Sequence, residues 1–220
     1  MKKYFLCLAN SHKYNERCIA GVELARKDKD TFSLRKFDGK VRWLRPVSKK
    51  EHGEISSDST NQMKILDIYE VEILEDCPNG FQSENVFINE NSFKFIKSVA
   101  PDEKKLDKLI DDQLEFVFIN NEKAVYKDSI DEVHNSLIFI KPETFRFIRV
   151  SNQYVKNQLR VEFSFKDFVY NLPVTDVSFL EEYGNKPEIT AEIQTIYLTI
   201  SLGLEFKAWH YKLIAGIIHI

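Results

Sequence analysis

The stretch Leu159-Arg160-Val161-Glu162-Phe163-Ser164-Phe165-Lys166 decides the fold class, because apolar and polar side chains alternate along it. Such alternation turns one set of side chains toward a core and the other toward solvent, as in a half-buried β-strand. Residues 195–202 repeat the pattern. Further strands are predicted at residues 3–9, 17–22, 41–47, 65–74, 93–99, 114–119, 137–140, 145–150 and 212–218. We therefore expect a mainly β protein with one or few helices.

One segment near the midpoint of the chain departs from the alternation. Leu106, Leu109 and Ile110 recur at helical spacing, and Asp102 is placed to begin a helix over residues 102–113. The strands on either side form two halves, each of a size that suits a five-stranded OB-fold barrel. The prediction is two small OB-like β-barrels packed in tandem, in residues 1–112 and 113–220. A single β-sandwich or barrel is the alternative, because no Gly/Ser-rich linker marks a boundary.

The charge of the chain is unevenly distributed. The first 50 residues hold fourteen Lys/Arg and five Asp/Glu, residues 51–135 hold eight and twenty, and the net charge of the whole chain is only −3. A basic surface attracts polyanions, which for a β-rich protein points to nucleic acid. The alternative is internal, with the basic segment packed against the acidic middle of the chain.

The apolar runs and the cysteines indicate the compartment. No apolar run reaches the roughly 18 residues of a membrane span, and no signal peptide is recognisable. Cys7, Cys18 and Cys77 form no C-x-x-C pair, which favours reduced thiols over a disulfide frame or a zinc site. We expect a cytoplasmic protein with no membrane partner, no metal and no cofactor.

The first candidate binding cluster lies in a strand–turn–strand segment near the N-terminus. Asn10 and Ser11 can hydrogen-bond, and Lys13 and Arg17 offer cations for phosphate groups. The alternative for Asn10 and Ser11 is that they only build the turn.

The second cluster combines an indole with cations. Alternation sets Trp43 and Arg45 on one strand face and Arg42 and Leu44 on the other. If Leu44 points into the core, Trp43 and Arg45 project outward together, as a stacking platform beside a phosphate-binding donor. A partly buried core Trp43 is the alternative.

The third cluster follows the turn signal at residues 78–80. Gln82 and Asn85 carry amides that can read base edges, since an amide is both donor and acceptor. Glu84 between them is a candidate general base or an ion-pair partner for Arg45.

These segments together are similar to one family. The succession C-L-A-N-S-x-K, R-C-I-A-G, W-L-R-P-V-S and Q-S-E-N resembles the bacterial dual OB domain family, and residues 170–176, 197–203 and 211–216 look like its C-terminal signatures. The resemblance spans almost the whole chain. It implies two OB barrels in an accessory protein of bacterial defence or mobile-element systems, where the barrels would supply recognition for a separate effector.

Catalytic readings have less support in the sequence. The histidines lack metal-ligand spacing, and no G-x-S-x-G, Walker or H-E-x-x-H pattern occurs. Asp67, Glu84 and Asp176 could converge as a Mg²⁺ nuclease site. We therefore favour a nucleic-acid-binding module without naming DNA or RNA, and keep two alternatives: a subunit that docks a protein effector through its acidic middle, and an enzyme acting on nucleotides or nucleic acid.

Overall fold

The computed structural model describes residues 1–186, 189 and 193–220. The chain is mainly β, which confirms the fold class that the alternation predicts. It separates into two compact units, Met1–Pro101 and Asp102–Ile220. The predicted assignment of folding domains to residues 1–112 and 113–220 stays a prediction.

The first unit is a closed five-stranded barrel. Its elements are β1 Lys2–Lys13, β2 Glu16–Arg26, β3 Phe32–Leu34, β4 Lys36–Phe37, β5 Lys40–Val41, β6 Trp43–Val47, α1 Ser57–Thr60, β7 Asp67–Asp76, β8 Asn85–Ile88 and β9 Lys94–Ser98. The ring runs β1–β2–β6–β8–β7 and returns to β1, and the β6–β8 pair alone is parallel. β3 extends the sheet beside β2, and β9 lies beside β7. This is the Greek-key barrel of an OB-fold.

The barrel closes tightly where β1 meets β2. Apolar side chains from all five ring strands fill its interior, among them Phe5, Leu44 and Val71. A Cβ on Gly21 would overlap the carbonyl oxygen of Leu6, so the close approach of these two strands requires glycine at that position.

The second unit is a half-barrel built from two sheets. Its elements are α2 Glu103–Leu106, β10 Ala124–Tyr126, β11 Leu137–Ile140, β12 Thr144–Val150, β13 Gln158–Phe165, β14 Phe168–Pro173, α3 Val177–Tyr183, β15 Ile196–Phe206 and β16 Trp209–His219. One sheet has the order β10–β16–β15–β11, and the other has the order β12–β13–β14. A parallel bridge between Val174 and Ile214 joins the two sheets.

The two units follow the same strand succession. In the first unit β1 pairs with both β2 and β7. In the second unit two strands take the place of β1: β11 pairs with β15, and β12 pairs with β13. In both units a short helix follows the third ring strand, and the third and fifth strands meet in parallel. The sequence shows no residue-level repeat, so the repetition is one of topology.

Two predicted elements need correction. The helix expected over residues 102–113 ends early: α2 passes into a 3₁₀ turn at Asp107–Leu109, after which Asp111 exchanges hydrogen bonds with the backbone of Phe139. The strand expected at residues 114–119 is wrong, because the Val117 N–H bonds to the Tyr170 hydroxyl and Phe118 takes a positive φ of 65°. The helix start was correct, since the Asp102 carboxylate accepts from the Lys105 N–H.

Candidate nucleic-acid interface

The three predicted clusters converge on one region of the first barrel. Arg45 in β6 lies in register beside Asn85 in β8, and its Nη2 is 3.3 Å from Glu84 Oε1. Burial lowers the pKa of Lys13, and the charge of Arg45 lowers it further. Positions far apart in sequence therefore meet here.

The buried amides of this region make local hydrogen bonds within the protein. Asn10 donates to the Met63 carbonyl at 2.9 Å, and Asn85 donates to Gln82 Oε1 at 3.2 Å. Asn10, Ser11, Gln82 and Asn85 are all buried. To read bases, Gln82 and Asn85 would need exposed side-chain amides. In this conformation both amides are buried. The alternative that Asn10 and Ser11 build the turn is also wrong, because both lie inside β1, paired with Ile19 and Cys18 of β2.

Trp43 and Arg45 share a strand face, as the alternation predicts, because Leu44 between them belongs to the barrel core. The predicted exposure of that face is wrong. Trp43 is 8% exposed and Arg45 1% exposed, since all five residues of β6 are buried. A buried guanidinium needs a charged partner, and Glu84 supplies it, which confirms the ion pair that the sequence left open.

The predicted cations differ in their access to solvent. Lys13 and Arg17 are half-buried, and Arg17 is tied through its backbone to Ile55. Arg42 is exposed, and its Nε lies 3.3 Å from the Glu23 carboxylate. Arg42 is thus the most accessible of the cations that we expected at phosphates.

An element that sequence reasoning missed lies directly before Arg42. β4 and β5 form a hairpin whose two turn residues, Asp38 and Gly39, both have positive φ, at 49° and 79°. This is the geometry of a type I′ turn, which favours Asp-Gly. Phe37 beside the turn is 79% exposed, and Lys36 and Lys40 are exposed with it. We call residues 35–42 the basic hairpin.

Glu23 anchors the base of the basic hairpin. Arg35 donates its N–H to the Glu23 carbonyl at 2.9 Å, and the Glu23 N–H donates to the Arg42 carbonyl at 2.8 Å. The Glu23 carboxylate also faces three cations, with Lys3 Nζ at 3.4 Å, Arg42 Nε at 3.3 Å and Arg35 Nε at 4.0 Å. The base is therefore held in place while the tip projects.

The tip of the basic hairpin keeps its positive charge. Residues 35–42 contain four Lys/Arg and one Asp. Within residues 1–186, 189 and 193–220, no ion pair engages Lys36 or Lys40. Ion pairs do link the basic segment to the acidic middle of the chain, Lys2 with Glu70 at 2.7 Å and the buried Arg45 with Glu84, but these pairs lie away from the hairpin tip.

The carboxylates considered for catalysis have structural roles. Asp67 accepts from the Tyr69 hydroxyl, Glu84 pairs with Arg45, and Asp176 caps α3 through the Phe179 N–H. Burial raises the pKa of Asp176 to about 6. Among the described residues, no three His, Cys, Asp or Glu side chains are grouped to hold a metal ion. The part of the chain that the structure describes also contains no helix long and apolar enough to cross a membrane.

Comparison with known proteins agrees with the topology. A family model described as dual OB-containing domain matches residues 3–217, nearly the full chain. No curated protein matches the sequence. The closed barrel, the half-barrel with the same strand succession and the extent of this match lead to one assignment: the chain belongs to the dual OB-containing domain family.

Proposed function

We propose that the protein binds single-stranded or distorted nucleic acid on its first barrel, with the basic hairpin as the main contact. One observation carries this proposal: an exposed aromatic ring, Phe37, stands between two exposed lysines on a hairpin whose base is anchored. Proteins that bind single strands combine these two groups, because the ring stacks on a base while the cations meet the backbone phosphates.

The position of the hairpin supports the same function. It connects β2 to β6, the second and third strands of the barrel ring. OB-folds bind oligonucleotides on the face formed by these two strands and on the loops between strands one and two and between strands four and five, so the hairpin borders the binding face without being one of those loops. Arg35 and Arg42 at the hairpin base extend the cationic surface toward this face.

The residues proposed from sequence take different parts in this proposal. Arg42 remains a direct phosphate contact, and Lys13 and Arg17 can contribute to the local potential. Trp43 and Arg45 support the strand from which the hairpin projects. Asn10, Gln82 and Asn85 make buried local hydrogen bonds, and Ser11 is buried within β1.

Fluorescence anisotropy with labelled single-stranded oligonucleotides tests the proposal. The full chain should bind at low salt, and affinity should fall as salt rises. Replacing Lys36 and Lys40 together by Gln should weaken binding and reduce the slope of log Kd against log salt by about 1.4, at about 0.7 per phosphate contact. The matched control replaces two exposed lysines of the second unit, Lys104 and Lys108, by Gln.

Phe37→Ala separates stacking from charge. Because this ring is almost fully exposed, its removal should leave the melting temperature unchanged while affinity falls by about 1–3 kcal/mol. Equal losses for the hairpin and control lysine variants would show that only net charge matters, and would remove the hairpin from the proposal. Absence of binding at low salt would refute the function itself.

We also propose a setting for this activity. The setting is the one that the sequence resemblance implies: an accessory role in a bacterial defence or mobile-element system, in which the barrels would recognise nucleic acid for a separate protein effector. The proposed compartment is the reducing cytoplasm, where Cys7, Cys18 and Cys77 would stay as thiols. Deleting the gene for this protein from such a system should abolish nucleic-acid-dependent activation of the effector. The basal activity of the effector should remain.

A further inference from the structure

The second unit exposes three aromatic side chains at one turn. Phe206 ends β15 and Trp209 begins β16, where the two residues are register partners. Tyr126 of β10 lies beside Trp209, with ring centroids 5.0 Å apart at an interplanar angle of 62°. Phe206 is 60% exposed and Trp209 40% exposed. We call this group, with the turn residues Lys207 and Ala208, the aromatic turn.

The backbone of the aromatic turn is strained. Lys207 and Ala208 both adopt left-handed φ values, 52° and 68°. This conformation costs a non-glycine residue about 1–2 kcal/mol, and two-residue turns of this shape favour Asn-Gly. Strain that a turn retains is a reason to look for function in its side chains. In this turn the Lys207 ammonium lies 5.4 Å from the centroid of the Phe206 ring.

A second lysine is fixed at the same place. The Lys127 N–H donates to the Ala208 carbonyl at 3.0 Å, which brings the end of β10 onto the turn. Lys127 and Lys207 are both exposed. The aromatic turn therefore presents its aromatic rings and the Lys207 ammonium to solvent, and a second exposed lysine, Lys127, is bonded to it through the main chain.

We infer that the aromatic turn is a second nucleic-acid contact, where Trp209 and Phe206 stack on bases and Lys127 and Lys207 meet phosphates. This inference rests on the proposed function and extends it to the second unit. A protein partner fits less well: three partly covered rings fall far short of the roughly 800 Å² per partner in a stable protein interface. One accessible ring is enough to stack a base.

The two tryptophans of the chain allow a direct test. In a Trp43→Phe variant, Trp209 is the sole tryptophan, and its emission should be quenched by a single-stranded oligonucleotide in parallel with the anisotropy change. In the matched Trp209→Phe variant, the buried Trp43 should report no quenching. If Trp43→Phe does not fold, the difference between wild type and Trp209→Phe gives the same signal.

Affinity provides the second measurement. Replacing Phe206 and Trp209 together by Ala should weaken binding at least about fivefold, the equivalent of about 1 kcal/mol. Unchanged Trp209 emission during binding, with affinity kept within about twofold in the double variant, would overturn the inference. In that case the hairpin variants still decide the proposed function. If the wild type binds no oligonucleotide at low salt, both proposals fall.

Discussion

Replacing Trp43 by Ala distinguishes a structural tryptophan from a binding one. The side chain is 8% exposed, so nearly all of its surface is buried on folding. A buried tryptophan removes on the order of 200 Å² from water, which at about 25 cal/mol per Å² corresponds to about 5 kcal/mol. Substitution series that leave cavities give about 3–5 kcal/mol for the same change. We expect Trp43→Ala to lower the free energy of unfolding by about 3–5 kcal/mol.

Trp43→Phe is the matched control for this variant. Among the described residues, the indole Nε1 has no hydrogen-bond partner, so the change to Phe breaks no hydrogen bond. The cost should be below about 1.5 kcal/mol, as for other conservative apolar replacements in a core.

The assay combines unfolding with binding on the same samples. Urea unfolding followed by circular dichroism gives the free energies, and a loss of 3 kcal/mol should lower the melting temperature of a 220-residue chain by about 6–12 °C. Oligonucleotide anisotropy, measured where each variant is folded, should show similar affinities. A Trp43→Ala protein that melts within about 2 °C of the wild type but no longer binds would refute this reasoning and restore the stacking role for Trp43.

Three further predictions concern buried features. Arg45→Met leaves the Glu84 carboxylate buried without its partner and should cost about 3–5 kcal/mol in urea unfolding. The double variant with Glu84→Met should recover most of that loss, and additive losses would contradict a buried pair. Gly21→Ala, by forcing a Cβ onto the Leu6 carbonyl, should destabilise the first unit by at least about 2 kcal/mol, whereas a neutral effect would show that β1 can shift. Burial lowers the pKa of Lys212 from its ordinary 10.5 to about 7. Because the folded-state pKa is the lower one, the associated stability is present above pH 10.5 and lost as pH falls through 7. The free energy of unfolding of the wild type should therefore rise relative to Lys212→Met between about pH 7 and pH 10, and a flat difference would place the ammonium in a better solvated site.

Alternation of apolar and polar residues predicts a strand well where one face of that strand is buried and the other is not. Along β13, Leu159, Val161, Phe163 and Phe165 are all buried and alternate with partly exposed side chains. The same rule missed β8 and β14. β8 is only four residues long, and three of its four side chains are buried, so it carries no alternating pattern to detect.

The candidate site was harder to predict because alternation gives a face and not its exposure. Trp43 and Arg45 were assigned to the correct face, yet period-two reasoning contains no information on what covers that face. The signal for the basic hairpin was present as Asp38-Gly39 between Phe37 and Lys40. Its two strands have two residues each, too few for a periodicity to show.

The double pairing of β1 has a consequence for the order in which the chain is made. β1 pairs with β2 as a local hairpin, but its other edge stays open until β7 leaves the ribosome. Every ring partner of the first barrel lies within Met1–Pro101, so this unit can close while the second is still being translated. The second unit needs β16, its last strand, to join its two sheets through Ile214. Strand edges of the second unit, including that of β10, therefore stay open until β16 is made, and open edges of this kind are where a nascent chain pairs wrongly.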